Sequence, residues 1–405
     1  MRNDIIFDTI AYDYTIKGDV NMKIVSIEPT PSPHSMKINV NEELPDGETL
    51  NVKKGDDLTD APSYIKELFT IEGIINIYRV VDFITIARQP RARWEDILPA
   101  VRDIIGTTEN EDDLQIDIPL TDNDEADDAF GEVKVFIQMF RNIPMQVKLE
   151  NEDGEHRFGL PERFSHAIMT ASTEVPTFIM ERKWVEQSHV RYGEPDDIGN
   201  EVVEEIAASY DEERVNHLVE LAIQDKQESE SETKYTSISL DTLDDPDWRV
   251  RYAALDRLDP NVEHLEALDK ALDDSRSSIR RLAAAYLGMI EDKRVLPYIY
   301  KALKDKSANV RRTAGDCASD LGYTEATEEM IKTLKDDNRI VRWRAAMFLF
   351  EVGDESSVPA LEEALKEEPE FEVRMQINMA LERIKGGEEA KGSIWAQMTE
   401  ATKKD

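Results

Sequence analysis

The sequence predicts a multidomain chain: two α+β units followed by an all-α solenoid of stacked helix pairs. Three observations predict it. One short motif recurs five times between Trp248 and Leu381. Each of two earlier stretches opens with strand-like alternation and then turns helical, and strongly polar runs separate the parts.

The first α+β unit covers residues 22–108. Before it, residues 1–21 show little apolar patterning and are expected to form a weakly ordered extension. Residues 22–28 read as a strand, with Met36–Val40 as its partner. Between them Pro29-Thr-Pro-Ser-Pro-His-Ser35 carries three prolines, whose fixed φ demands an extended loop. A helix is expected at about 62–69, strands at 74–80 and 82–88, and a helix at 92–105 containing Trp94, Ile97 and Val101. Ile27-Glu-Pro-Thr-Pro-Ser-Pro-His-Ser-Met-Lys37, Phe69-Thr-Ile-Glu-Gly-Ile74 and Asp82-Phe-Ile-Thr-Ile86 look like the N-terminal domain of the NifU-like (Nfu) iron–sulfur scaffold proteins. That resemblance implies the fold, and it implies iron–sulfur proteins as partners. Cluster chemistry does not follow from it. Such scaffolds hold their cluster on a separate domain through a Cys-x-x-Cys pair, and this chain has the single cysteine Cys317, which cannot supply four thiolates.

Residues 109–128 hold ten acids and no base, the composition of a solvated linker. A second α+β unit follows at 129–226. Val133–Met139 and Met145–Glu150 read as strands, and Asp153-Gly154 suggests a hairpin into Glu155–Gly159. From Pro161 the pattern is helical, through Phe164 and Ile168, then Phe178, Ile179, Trp184 and Val185, then Val202 and Ile206, then Val215, Leu218 and Val219. The polar stretch 227–242 reads as a hinge.

The repeats occupy 243–405, with a capping helix at the C-terminus. Their pivot residues are Val250, Ile279, Val310, Val341 and Val373, spaced 29, 31, 31 and 32 residues apart. Four residues after each pivot stand Ala254, Ala283, Ala314, Ala345 and Ile377; eight after it stand Leu258, Leu287, Ala318, Leu349 and Leu381. This spacing places small and apolar side chains on one helical face. A leucine before each pivot (Leu243, Leu272, Leu303, Leu334, Leu365) marks an earlier helix of the pair. An acid five residues before each pivot (Asp245, Asp274, Asp305, Asp336, Glu368) and an arginine directly after it (Arg251, Arg280, Arg311, Arg342, Arg374) read as stitching between repeats. These residues resemble HEAT-like repeats of the short, roughly thirty-residue kind. The whole order of units resembles the conserved virulence factor C family, with the match most evident in Lys306-Ser-Ala-Asn-Val-Arg-Arg-Thr-Ala-Gly-Asp-Cys317 and Ile340-Val-Arg-Trp-Arg-Ala-Ala-Met347.

Composition narrows the partners. The formal charge is −37, and the first 242 residues carry 23 basic and 52 acidic side chains against 26 and 34 in the remainder. A phosphate backbone or anionic membrane is repelled by such a surface, so neither nucleic acid nor membrane is expected as a partner. No run of 18 apolar residues and no secretory leader pattern is present, and a cytoplasmic location is expected. Cys317 borders the packed helical face and reads as a small buried filler. The six histidines lack ligand spacing, no nucleotide-binding or hydrolase motif occurs, and abundant carboxylates make any close pair a chance event. Neither a metal, a cofactor nor a catalytic residue is expected. The expected function is a non-catalytic protein-interaction scaffold; the alternative is an accessory factor in iron–sulfur cluster assembly or transfer that docks through its NifU-like unit.

The expected binding surface follows from rotating each second helix by about 100° per residue. Offsets of two, six and nine from the pivot point away from the packed face, toward the exposed concave row. Tyr252, Arg281, Arg312, Trp343, Met347, Phe350, Met375 and Met379 lie there and are the candidate partner-binding residues. A competing reading has the tail helix around Ser393–Met398 fold back and cover the aromatic and methionine end of the row with Trp395.

Overall fold

The structure is a computed structural model that describes residues 22–30, 32–45, 48–89, 92–107, 132–151, 154–187, 191–226 and 238–387. The expected extension at 1–21, the acidic linker, residues 227–237 of the hinge and the tail helix all lie outside the described residues. Two compact units divide the chain between Asp117 and Ile118.

The first unit is a five-stranded antiparallel sheet with two helices. Its elements are β1 (Ile24–Pro29), β2 (Ser35–Val40), β3 (Thr49–Lys53), α1 (Ser63–Leu68), β4 (Ile74–Val80), β5 (Phe83–Arg88) and α2 (Trp94–Ile105). The strand order is β1-β2-β5-β4-β3. Strict alternation in β2 and β5 sends Met36, Ile38, Val40, Ile84 and Ile86 into the core, and α2 buries Trp94, Ile97, Leu98, Val101 and Ile105. The Trp94 indole N–H donates to the carbonyl of Pro33 at 2.9 Å and ties the proline loop to the helix. Edge strand β3 was not expected: only Leu50 and Val52 alternate within its polar sequence.

The central part of the second unit is also a sheet carrying helices on one face. It comprises β6 (Glu132–Phe140), β7 (Ile143–Asn151), β8 (Gly154–Gly159), α3 (Glu162–Glu174), α4 (Phe178–Glu181), β9 (Lys183–Glu186), β10 (Arg191–Tyr192), α5 (Pro195–Ser209) and α6 (Glu212–Ile223). β9 and β10 both pair with β6, on the side opposite β7. Val133, Val135, Val147 and Leu149 meet Phe164, Ala171, Val202, Ile206, Val215 and Leu218 in one core. Gly199 lets α5 lie against Phe158; a Cβ there would stand 2.2 Å from the ring. The β6–β7 turn places Arg141 and Asn142 at positive φ, the twist a two-residue hairpin favours. The helical expectation for Trp184 and Val185 is corrected: they lie in β9, because β6 offers an edge that four extended residues can pair.

The repeats then stack in order. A 3-10 turn at Leu240–Asp244 precedes α7 (Trp248–Asp256), and four full pairs follow. Their first helices are α8 (Leu265–Ala271), α10 (Leu296–Ala302), α12 (Thr327–Thr333) and α14 (Val358–Glu367). Their second helices are α9 (Ser277–Gly288), α11 (Ala308–Leu321), α13 (Arg339–Val352) and α15 (Phe371–Lys385). Ile279, Val310, Val341 and Val373 are buried, as are Ala283, Ala314, Ala345 and Ile377 four residues on. The acid–arginine columns form a ladder whose rungs join neighbours. Arg251, Arg280, Arg311 and Arg342 each grip the acid of the next repeat (Asp274, Asp305, Asp336, Glu368) through two parallel bonds of 2.6 to 3.0 Å. Each also donates to the main-chain carbonyl of the acid in its own repeat. The same acids accept the main-chain amide two residues later, that of the residue just before the following helix, and so fix the turn between the two helices.

Candidate protein-interaction surface

The candidate row does lie along one side of the second helices, but it is not open to solvent. Tyr252 is buried, and Arg281 and Arg312 are largely enclosed. The central part of the same chain lies over these three. Helix α5 packs on α7, and Tyr192, Ala208, Tyr252 and Leu255 share a core with the repeats. Glu204 of α5 pairs with Arg276 at 2.6 Å, and Glu205 pairs with Arg281 at 2.8 Å. Arg191 of β10 reaches Glu205 and also Glu201, the latter at 3.2 Å. One repeat further on, the Arg312 guanidinium stacks 4.1 Å from the centre of the Tyr192 ring, while Asp316 pairs with Arg312 at 3.0 Å and Arg344 at 2.6 Å. The Trp343, Met347 and Met375 side chains expose only 3%, 1% and 1% of their surface, and Phe350 and Met379 are half-buried. The expectation of an exposed row is therefore corrected. Helical rotation locates the row, but another part of the chain occupies the concave side of the first three repeats.

The electrostatics of this contact are those of a buried pair network. Burial pushes the Glu205 carboxyl up, yet Arg281 and Arg191 beside it hold it below its usual value. Burial pushes the Tyr192 hydroxyl up to about 12 despite the nearby Arg312. A charge buried this deeply is tolerated only while its partners stay in place. Sequence reading missed Glu201, Glu204, Glu205, Arg191 and Tyr192. In an acid-rich chain, nothing local marks which glutamates face inward.

Cys317 is buried as expected. Its thiol donates to the carbonyl of Ala284 at 3.3 Å in the preceding repeat, and burial pushes its pKa up, away from reactive thiolate. Among the described residues, no group of three or more His, Cys, Asp or Glu could hold a metal ion, and no helix is long and apolar enough to cross a membrane.

Among the described residues, one face of the array stays open. A groove of about 630 Å³ lies between the α5–α6 corner and α7. Arg163, Ser209, Asp211 and Arg214 line one wall, and Arg249, Val250, Ala253, Ala254 and Arg257 line the other. Val250 is 42% exposed, whereas the other four pivots are at most 1% exposed.

Together the stitched array and its occupied concave face define a multidomain HEAT-repeat protein, an architecture that fits a scaffold. Family profiles agree with each part: "Scaffold protein Nfu/NifU N terminal" matches residues 25–111, "Virulence factor" 138–219, and "HEAT repeats" 237–315 and 297–382. The chain belongs to the conserved virulence factor C family. It is 40% identical over 385 residues to Conserved virulence factor C of Staphylococcus saprophyticus, covering 94% of this chain and all of that one. It is 51% identical over 385 residues to the Bacillus subtilis protein called Uncharacterized protein YpgR, covering 95% of this chain and all of that one. Among solved structures, Staphylococcus aureus protein SAV1430 matches 20% of this chain and 96% of its own at 34% identity, with a TM-score of 0.19.

Proposed function

We propose that the protein is a non-catalytic protein-interaction scaffold that acts in the cytoplasm and presents a rigid HEAT-repeat array to a protein partner. The observation that carries this reading is the four-rung ladder, in which the Arg280–Asp305 rung is nearly fully enclosed. Such stitching makes a stiff surface of fixed curvature, the property by which repeat arrays recognise proteins. Because its own central part fills the concave side of the first three repeats, the partner meets the array elsewhere. The test is crosslinking of the tagged full chain in its host cells, followed by mapping of the crosslinked residues. The reading expects one or a few proteins joined at repeat positions. Crosslinks confined to residues before the repeats, or none above an untagged control, would contradict it.

A second reading is favoured by the profile match at residues 25–111. In it, the NifU-like unit docks on iron–sulfur proteins during cluster assembly or transfer, without holding a cluster. The same mapping tests this reading: iron–sulfur proteins should be joined at positions within 22–107. Their absence from those crosslinks would set it aside.

A further inference from the structure

Each internal repeat shows which columns face its predecessor. The Tyr286 hydroxyl, seven residues after its pivot, donates to the carbonyl of Asp256 at 2.7 Å. Cys317, in the same column one repeat later, donates to Ala284 and fills the space beside Gly288, where a Cβ would stand 2.4 Å from its sulfur. Arg344, three residues after its pivot, lies against Gly315 of the repeat before, where a Cβ would stand 2.8 Å from its side chain. Pivot plus three and plus seven are thus the stacking columns. Their counterparts in the first repeat are Ala253 and Arg257, and both line the open groove together with Val250 and Ala254. The groove is the stacking face of the first repeat, which among the described residues meets the α5–α6 corner rather than a preceding repeat.

The ladder also begins in the first repeat. Asp274, Asp305, Asp336 and Glu368 each receive an arginine from the repeat before. Asp245 holds the equivalent position and, among the described residues, its carboxylate accepts only the amide of Asp247, at 2.8 Å. Half of a rung is present.

We propose that this end face binds a helix of a partner protein that takes the place of a preceding repeat. The partner helix carries an arginine that completes the rung at Asp245, and small residues four positions apart that seat over Ala253 and Arg257. The recognition chemistry is read from two internal junctions, where Ala284 and Gly288 receive Cys317 and Gly315 receives Arg344. The groove takes about one and a half turns of a helix about 10 Å across. Terminal repeats expose a sticky face unless something caps it. This proposal rests on the scaffold reading and names its surface. If it fails while crosslinks still map to the repeats, the scaffold reading stands and the end face is not its site.

The probe is a synthetic peptide of residues 277–291, the chain's own second-repeat helix, stapled on its outward face because isolated helices of this length are marginal. Binding to the full chain is read by fluorescence anisotropy. Saturable binding is expected, weakened about tenfold by Val250→Asp and about tenfold by Asp245→Asn in the full chain. Arg280→Ala in the peptide should weaken binding equally and remove the effect of Asp245→Asn. Val250 is exposed, so Val250→Asp keeps the fold, which the melting curve verifies. No saturable binding, or binding indifferent to these changes, overturns the proposal. Binding that emerges only after deletion of residues 227–237 assigns the face to the chain's own segment and also overturns it. So does concentration-dependent dimerisation of the full chain that Val250→Asp abolishes, which would make a second copy the occupant.

Discussion

Arg280 and Arg281 are neighbours in sequence and do opposite jobs. Arg280 points along the stack and closes a rung on Asp305, a residue of the next repeat. Arg281 points into the concave side and meets Glu205 of the central sheet-and-helix part. The same division holds for Arg311, which grips Asp336, and Arg312, which stacks on Tyr192. One arginine of each pair makes the repeats an array, and the other fastens that array to the central sheet-and-helix part. A periodic scaffold thus carries two kinds of information: what every repeat must do, and what one repeat does once.

That distinction can be broken by substitution, and the largest effects should fall where burial is deepest. Arg280→Ala leaves Asp305 enclosed without its partner and should lower stability by about 3–5 kcal/mol in urea unfolding. Trp343→Ala should cost a similar amount, about 3–5 kcal/mol, because the side chain lies within the repeat core. If Trp343→Ala instead left stability unchanged, the ring would have to be free in solution and the original expectation of an exposed row would return.

Acid should separate the two jobs more finely. The Glu205 carboxyl is held below its usual value in the folded chain by Arg281 and Arg191, against the cost of its burial. Its contribution is therefore fully present above the unfolded value of about 4.5 and is lost as the pH falls through the lower native value. Glu205→Gln should flatten the loss of stability as the pH falls below about 4.5, relative to the parent chain. An unchanged slope would show that Glu205 titrates alike in both states. The smallest effect belongs to the open end. Val250→Ala should change stability by no more than about 0.5 kcal/mol, although the residue heads the first repeat. A loss of several kcal/mol there would mean that the pivot is covered after all.

Much of this architecture was legible in the sequence, for reasons that are themselves local. The ladder columns stand out because stacking demands the same acid and arginine in every repeat. That the arginine pairs with the carboxylate of the next repeat, and meets only the main-chain carbonyl of its own acid, depends on the stacking geometry and not on spacing alone. The first unit was read nearly strand for strand, since Met36, Ile38 and Val40 alternate cleanly, while β3 was lost among polar residues. Trp184 and Val185 were misplaced because four residues cannot distinguish a strand from a helix until β6 supplies an edge. The concave contact was invisible for a different reason. Glu205 lies 76 residues from Arg281, and nothing around it distinguishes it from the other glutamates of α5.

The claim on which the rest depends is that the concave face of the repeats holds the chain's own central part. A double-mutant cycle on Glu205→Gln and Arg281→Gln, measured by urea unfolding of the full chain, addresses it most directly. The contact predicts that the two changes together cost about 2 kcal/mol less than the sum of each alone. Additivity within about 0.5 kcal/mol would contradict it, since residues that do not touch have no shared energy to lose.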